Sequence, residues 1–205
     1  MKDKIYVAQK ERNRPVDITE IAISKVPRTR LYGFTDEQNA YIQERHKEIL
    51  TCAKRMNRER GTKKSEVGIL IDIHNWRYCK ILGRKECGII ITDTQESKMM
   101  LSYAQKNQLM FLHNHPSTGT FSGQDLLTFC EQRTIFAMTV IGNDSSVYIM
   151  MKAPNFNEDL KSIYLVIARR YHENGIKNSG TQAVHYILKN ADRYGIIYKK
   201  GRHKI

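Results

Sequence analysis

Hydrophobic residues follow two different periods along the chain. Behind Thr35-Asp36-Glu37-Gln38, the residues Ile42, Ile49, Ala53 and Met56 recur at helical spacing, and Gly61 stands where such a helix would end. Thr35 as N-cap with Gln38 three residues on is a capping box, which fixes the predicted start. His46 lies on the same face and reads as a packed histidine. From Glu66 the apolar residues gather instead into short runs. EVGILIDI, YCKILG and GIIIT, separated by polar or glycine-containing stretches, predict strands in a meander or hairpins. SKMMLSYAQKNQ predicts a short helix with Met99 and Met100 turned to the core; LMFLH predicts a buried strand and SGQDLLTFCEQ a helix. IFAMTVIG and SVYIMMK predict two more strands across the turn residues Asn143-Asp144. NEDLKSIYLVIARRYHENG and TQAVHYILKNADRYG, each ending at glycine, predict two C-terminal helices. The succession is that of an α/β (α+β) sandwich with a mixed β-sheet and flanking helices.

The formal net charge of +13 is unevenly placed. Residues 1–65 carry 16 Lys/Arg against 9 Asp/Glu, residues 66–160 carry 8 against 10, and residues 161–205 carry 10 against 2. The chain therefore divides into a basic, partly helical N-terminal extension (1–65), a near-neutral core (66–152) and basic C-terminal helices with the tail KKGRHKI (153–205). Basic flanks suit nucleic acid, an anionic partner or an acidic substrate protein, and equally suit solvated helix faces. The N-terminus has no apolar h-region, and no apolar run approaches the roughly 20 residues that cross a bilayer. Cys52, Cys79, Cys87 and Cys130 form no CxxC, which fits reduced thiols in a cytoplasm.

The candidate chemistry lies in FLHNHPSTGTFSGQD, residues 111–125. Residues two apart on a strand project to one face, so His113 and His115 would aim two imidazoles at one point. A catalytic zinc takes three protein ligands, and Asp125, ten residues on and just inside the next helix, is the third candidate. Ser122-x-x-Asp125 is also a helix start in its own right. A serine hydroxyl has one donor and two acceptor positions, so Ser122 can cap the helix and still donate elsewhere.

HNHP followed by S-x-x-D, with Glu66 opening an apolar strand upstream, resembles the JAB/JAMM (MPN-type) metalloprotease domain, and the HNHPST form looks most like its bacterial and phage-borne members. The resemblance covers roughly residues 66–152 and implies a cytidine-deaminase-like core. It implies one zinc per chain on His113, His115 and Asp125, Glu66 as general base, and Ser122 as oxyanion helper. The implied reaction is hydrolysis of an amide or isopeptide bond by a metal-activated water, on protein or peptide substrates that include ubiquitin-like tails. The loop from Pro116 to Phe121 is one residue shorter than the family's usual one, and Asp72 and Glu86 compete with Glu66 on composition. Two other roles stay open: a metal-free scaffold on the same fold, and a nucleic-acid-associated protein using the basic flanks, as bacterial members are linked to DNA repair. Trp76 and Tyr78 beside His74 offer a substrate-facing loop or a core edge, while His172 and His185 read as structural.

Overall fold

The computed structural model describes residues 14–84 and 88–201. Glu86, Cys87 and the last four residues of the basic tail lie outside that range. A short helix α1 (Glu20–Ser24) and a long helix α2 (Asp36–Arg60) come first. The capping box closes as its sequence requires: Thr35 Oγ1 accepts the Gln38 N–H at 3.3 Å and Gln38 Oε1 accepts the Thr35 N–H at 2.8 Å. Gly61 ends α2 in the left-handed region (φ +60°), where a residue with a Cβ would be strained.

Then follow β1 (Val67–Asp72), β2 (Tyr78–Leu82), α3 (Gln95–Tyr103), β3 (Leu109–His115), α4 (Gly123–Glu131), β4 (Ile135–Gly142) and β5 (Val147–Lys152). The chain continues through α5 (Leu160–Glu173), α6 (Ser179–Lys189), a 3-10 turn (Ala191–Tyr194) and β6 (Ile196–Gly201). The described residues thus form a mixed α/β architecture: one six-stranded sheet, ordered β2-β1-β3-β4-β5-β6, with six α-helices. Only β3 and β4 run parallel; the other four neighbouring pairs are antiparallel.

Side chains alternate across the sheet and both faces are covered. Ile69, Ile71, Met110, Leu112 and Ile141 pack under α2, while Leu70, Phe111, Met138 and Val140 pack under α4, α5 and α6. Burial on both sides is why the central strands read as unbroken apolar runs rather than as alternating ones.

Three expectations differ from the structure. GIIIT is not a strand: Gly88 makes a single bridge to Arg84, and the chain then runs as a loop. The Ile89 N–H is given to the Glu66 carboxylate instead of a neighbouring strand, so the apolar residues Ile89 and Ile91 pack on the core from a loop. Met99 lies half exposed on α3, and only Met100 packs against the core. Ahead of the C-terminus, Ile196–Gly201 is the edge strand β6, which takes in the start of the basic tail, a stretch to which the sequence assigned no strand. Its Lys199 and Lys200 are exposed, as suits an edge that must not pair with other chains. Trp76 is a core edge, packed edge-on against Phe34 and Tyr41 at the end of β1 remote from His115.

His46 is wholly buried between α2 and the sheet, with Nε2 at 2.7 Å from Thr139 Oγ1. Burial, helped by the nearby His113, pushes its pKa down from 6.5 to about 3. Between those values the unfolded chain binds a proton that the folded chain refuses, so stability falls as pH drops through this window. In a His46→Gln variant, the unfolding free energy measured in urea between about pH 6 and pH 4 should lose a slope of about 1.4 kcal/mol per pH unit.

Candidate metal centre

His113 and His115 end β3 on the α4 side of the sheet, next to parallel β4 and opposite the start of antiparallel β1, where Gly68 pairs with His113. Their Nε2 atoms are 3.2 Å apart. Asp125, in the first turn of α4, closes the group: Oδ1 lies 3.0 Å from His113 Nε2, and Oδ2 lies 3.2 Å from His115 Nε2. The three residues could hold a metal ion, with one ligand atom from each lying within 4.8 Å of the others. A tetrahedral ion bonded at 2.0–2.1 Å separates its ligand atoms by about 3.3 Å, close to the 3.2 Å between the two Nε2 atoms.

The helix start that delivers Asp125 is the same one that caps α4. Asp125 Oδ2 accepts the Ser122 N–H at 2.6 Å and the Ser122 hydroxyl at 2.7 Å, while Ser122 Oγ accepts the Asp125 N–H at 3.2 Å. The loop before it is held from across the sheet. Tyr148 on β5 donates to the Thr118 carbonyl (3.3 Å), Thr120 Oγ1 bonds the Tyr198 hydroxyl on β6 (3.2 Å), and Phe121 is fully buried. Neither tyrosine stood out in the sequence, because each is remote from the motif and acts only through strand pairing.

Electrostatics bind the group together. Burial works against the charge on Asp125, yet the facing His113 and His115 hold its carboxyl well below the usual carboxylate range. Burial likewise opposes protonation of His115, but the Asp125 charge and hydrogen bond, with Glu66 and the Thr120 backbone adding, raise its pKa overall. That backbone contact also orients the His115 ring, as carbonyls do for metal-binding histidines. His113 is held differently, by stacking on Phe111 (5.0 Å between ring centres, 14° apart); its Nδ1 is buried without a hydrogen-bond partner among the described residues.

Glu66 immediately precedes β1, half-buried. Its Oε2 accepts the Ile89 N–H at 3.2 Å, and its carbonyl accepts the Gly83 N–H at 2.8 Å. Burial pushes its pKa up, the positive fields of His115 and His113 pull it back, and Asp125 pushes it up again. Gly88, at φ +68°, passes so close that a Cβ would lie 2.8 Å from Glu66 Oε2, so the carboxylate depends on a glycine there. Asp72 is excluded as the partner carboxylate: it sits at the other end of β1 and accepts hydrogen bonds from Asn75 and Gln108. The thiols of Cys79 and Cys130 are unsuited as nucleophiles, because burial pushes Cys79 up to about 11 and Cys130 up to about 12.

Asn114, between the two histidines, points to the opposite face and is fully buried. Its Oδ1 accepts the Val67 N–H (2.8 Å), while Nδ2 donates to the Ser65 carbonyl and to Asn143 Oδ1 (both 3.1 Å). Ser65 and Val67 flank Glu66, so one amide clamps both neighbours of the carboxylate to the strand that carries the histidines. Asn143 extends the clamp: its N–H bonds the His115 carbonyl (3.2 Å) and its Nδ2 the Val16 carbonyl (2.9 Å). The only hint of this in the sequence is the amide in HNH, which a motif reading passes over as a spacer.

Comparison with protein-family models, with curated proteins and with solved structures found no match.

Replacing Asn114 with Ala leaves the Val67 N–H and the Ser65 carbonyl buried without partners. Urea unfolding should show a loss of about 1–3 kcal/mol for each such group, while the metal donors themselves stay intact.

Proposed function

We propose that the chain is a zinc-dependent hydrolase of amide or isopeptide bonds, of the JAB/JAMM kind that its HNHP and S-x-x-D motifs resemble. The observation that carries this reading is the cluster of His113, His115 and Asp125 beside a half-buried glutamate: the two Nε2 atoms lie 3.2 Å apart, and the carboxylate sets Oδ1 at 3.0 Å from His113 Nε2 and Oδ2 at 3.2 Å from His115 Nε2. Two imidazoles and one carboxylate are a zinc donor set that leaves a position for water. When bound, zinc would supply Lewis acidity and bring the pKa of water from 15.7 towards about 7.

The chain's own residues would do the rest. Glu66, with its pKa raised by burial, accepts a proton from the attacking water and returns it to the departing amine. Its half-burial and the Ile89 N–H fix the carboxylate without quenching it by an ion pair. Ser122 has one hydroxyl proton, which rests on Asp125 Oδ2. That oxygen also holds the Ser122 N–H, so the hydroxyl can turn to a developing oxyanion and leave the carboxylate still anchored. The substrates would be protein or peptide tails, ubiquitin-like ones among them.

The test begins with metal content in protein purified without a histidine tag. One zinc per chain, lost in Asp125→Ala, is the expected result; no metal after zinc is added and dialysed would overturn the reading. Iron in place of zinc would overturn it as well, since the same donor set serves iron oxygenases. Glu66→Gln should keep the zinc while hydrolysis of isopeptide substrates falls on the order of 100- to 10,000-fold.

A further inference from the structure

Alanine is the better helix former, yet α4 begins with Gly123, directly after Ser122 in the turn that carries Asp125. Gly123 is not there for its conformation, because its φ is not positive and any residue adopts such a backbone. What requires it is a neighbour. A Cβ on Gly123 would overlap the Tyr164 hydroxyl of α5 and stand 3.2 Å from the ring carbon that bears it.

Tyr164 has no room to withdraw. It is only 7% exposed and packs in the same apolar cluster as Leu126, Leu160 and Val184. On α6 the same hydroxyl lies 3.1 Å from where a Cβ on Gly180 would stand, and Gly180 likewise has no positive φ. One rigid phenol is thus wedged between the first turns of two helices, each lacking a side chain at the point of contact.

Short hydrogen bonds couple that wedge to the metal centre. Ser122, bonded to Gly123, gives Asp125 Oδ2 both its N–H at 2.6 Å and its hydroxyl at 2.7 Å. Asp125 in turn sets Oδ1 at 3.0 Å from His113 Nε2 and Oδ2 at 3.2 Å from His115 Nε2. A displacement of the backbone at Gly123 therefore passes to the carboxylate, and from there to the two imidazoles.

We propose that Gly123 is a positioning residue of the metal centre: its missing side chain lets α4 seat its first turn on the Tyr164 hydroxyl, which sets where Asp125 stands against His113 and His115. The inference rests on the zinc reading of the site for one of its two readouts, and on the geometry of the histidines alone for the other.

Zinc affinity, and NMR of the zinc-free full chain, test it in the parent, Gly123→Ala, Tyr164→Phe and the double variant. Gly123→Ala should weaken zinc binding on the order of 10- to 100-fold. Without zinc it should shift the resonances of His113 and His115, which lie on a different element from the substitution. Tyr164→Phe removes the overlapping oxygen, so the double variant should recover most of the affinity and return the histidine resonances towards the parent, beyond any effect of Tyr164→Phe alone. A general loss of stability would not be repaired by a second substitution in the core. Parental zinc affinity and unmoved histidine resonances in Gly123→Ala would overturn the proposal, as would a double variant no better than Gly123→Ala. A parent that binds no zinc would remove the zinc reading alone, because the histidine resonances still decide whether Gly123 positions the group.

Discussion

Parallel neighbouring strands cannot be joined by a tight turn, and β3 and β4 are such a pair. The chain must leave the sheet at the end of β3, cross one face and come back to start β4. Its crossover is the loop after His115 followed by α4, so the first turn of α4 lies over the point where the histidines emerge. Asp125 meets them because of that topology. The antiparallel partner β1 adds the fourth group, since its start lies beside the end of β3 and brings Glu66 to the same corner. Every other pair of neighbouring strands among the described residues is antiparallel.

A site made of chain ends needs fastening, and here the fastening is polar and buried. The Asn114 amide satisfies groups on both sides of Glu66, and Asn143 ties the same amide to the segment through Val16. Satisfied networks of this kind hold a unique geometry, because leaving any member unpaired in the interior is costly. The Glu66 carboxylate thus gains its position from hydrogen bonds at its neighbours, leaving its own oxygens with a single backbone N–H among the described residues.

The sheet also shows how burial and partner together decide what an imidazole does. His46 and His115 are both shielded from water, on opposite faces of the same central strands. His46 meets a neutral hydroxyl, so burial dominates and the ring stays neutral down to about pH 3. His115 meets a carboxylate, and the opposite charge outweighs burial and raises its pKa. A residue type alone would not distinguish a core histidine from a candidate ligand.

Local pattern did settle a good deal. The α2 capping box with its Gly61 terminus, the strands around LMFLH, IFAMTVIG and SVYIMMK, and the helices on either side were legible because their signals lie within a few residues of one another. So was the candidate group itself: the period of two on a strand aims His113 and His115 together, and S-x-x-D starts a helix whether or not it binds metal. What pattern could not reach depended on partners far along the chain. GIIIT has strand composition, but its first free N–H goes to Glu66, 23 residues earlier, and no strand forms. The tail residues Ile196–Gly201 become a strand only because β5 offers an unpaired edge. The loop after His115 is held by Tyr148 and Tyr198, and Glu66 rather than Asp72 lies near the histidines because antiparallel pairing puts one at the histidine end of β1 and the other at the far end. Capping and alternation are decided by neighbours in sequence; strand order, edge pairing and buried amides are decided only when the whole sheet closes.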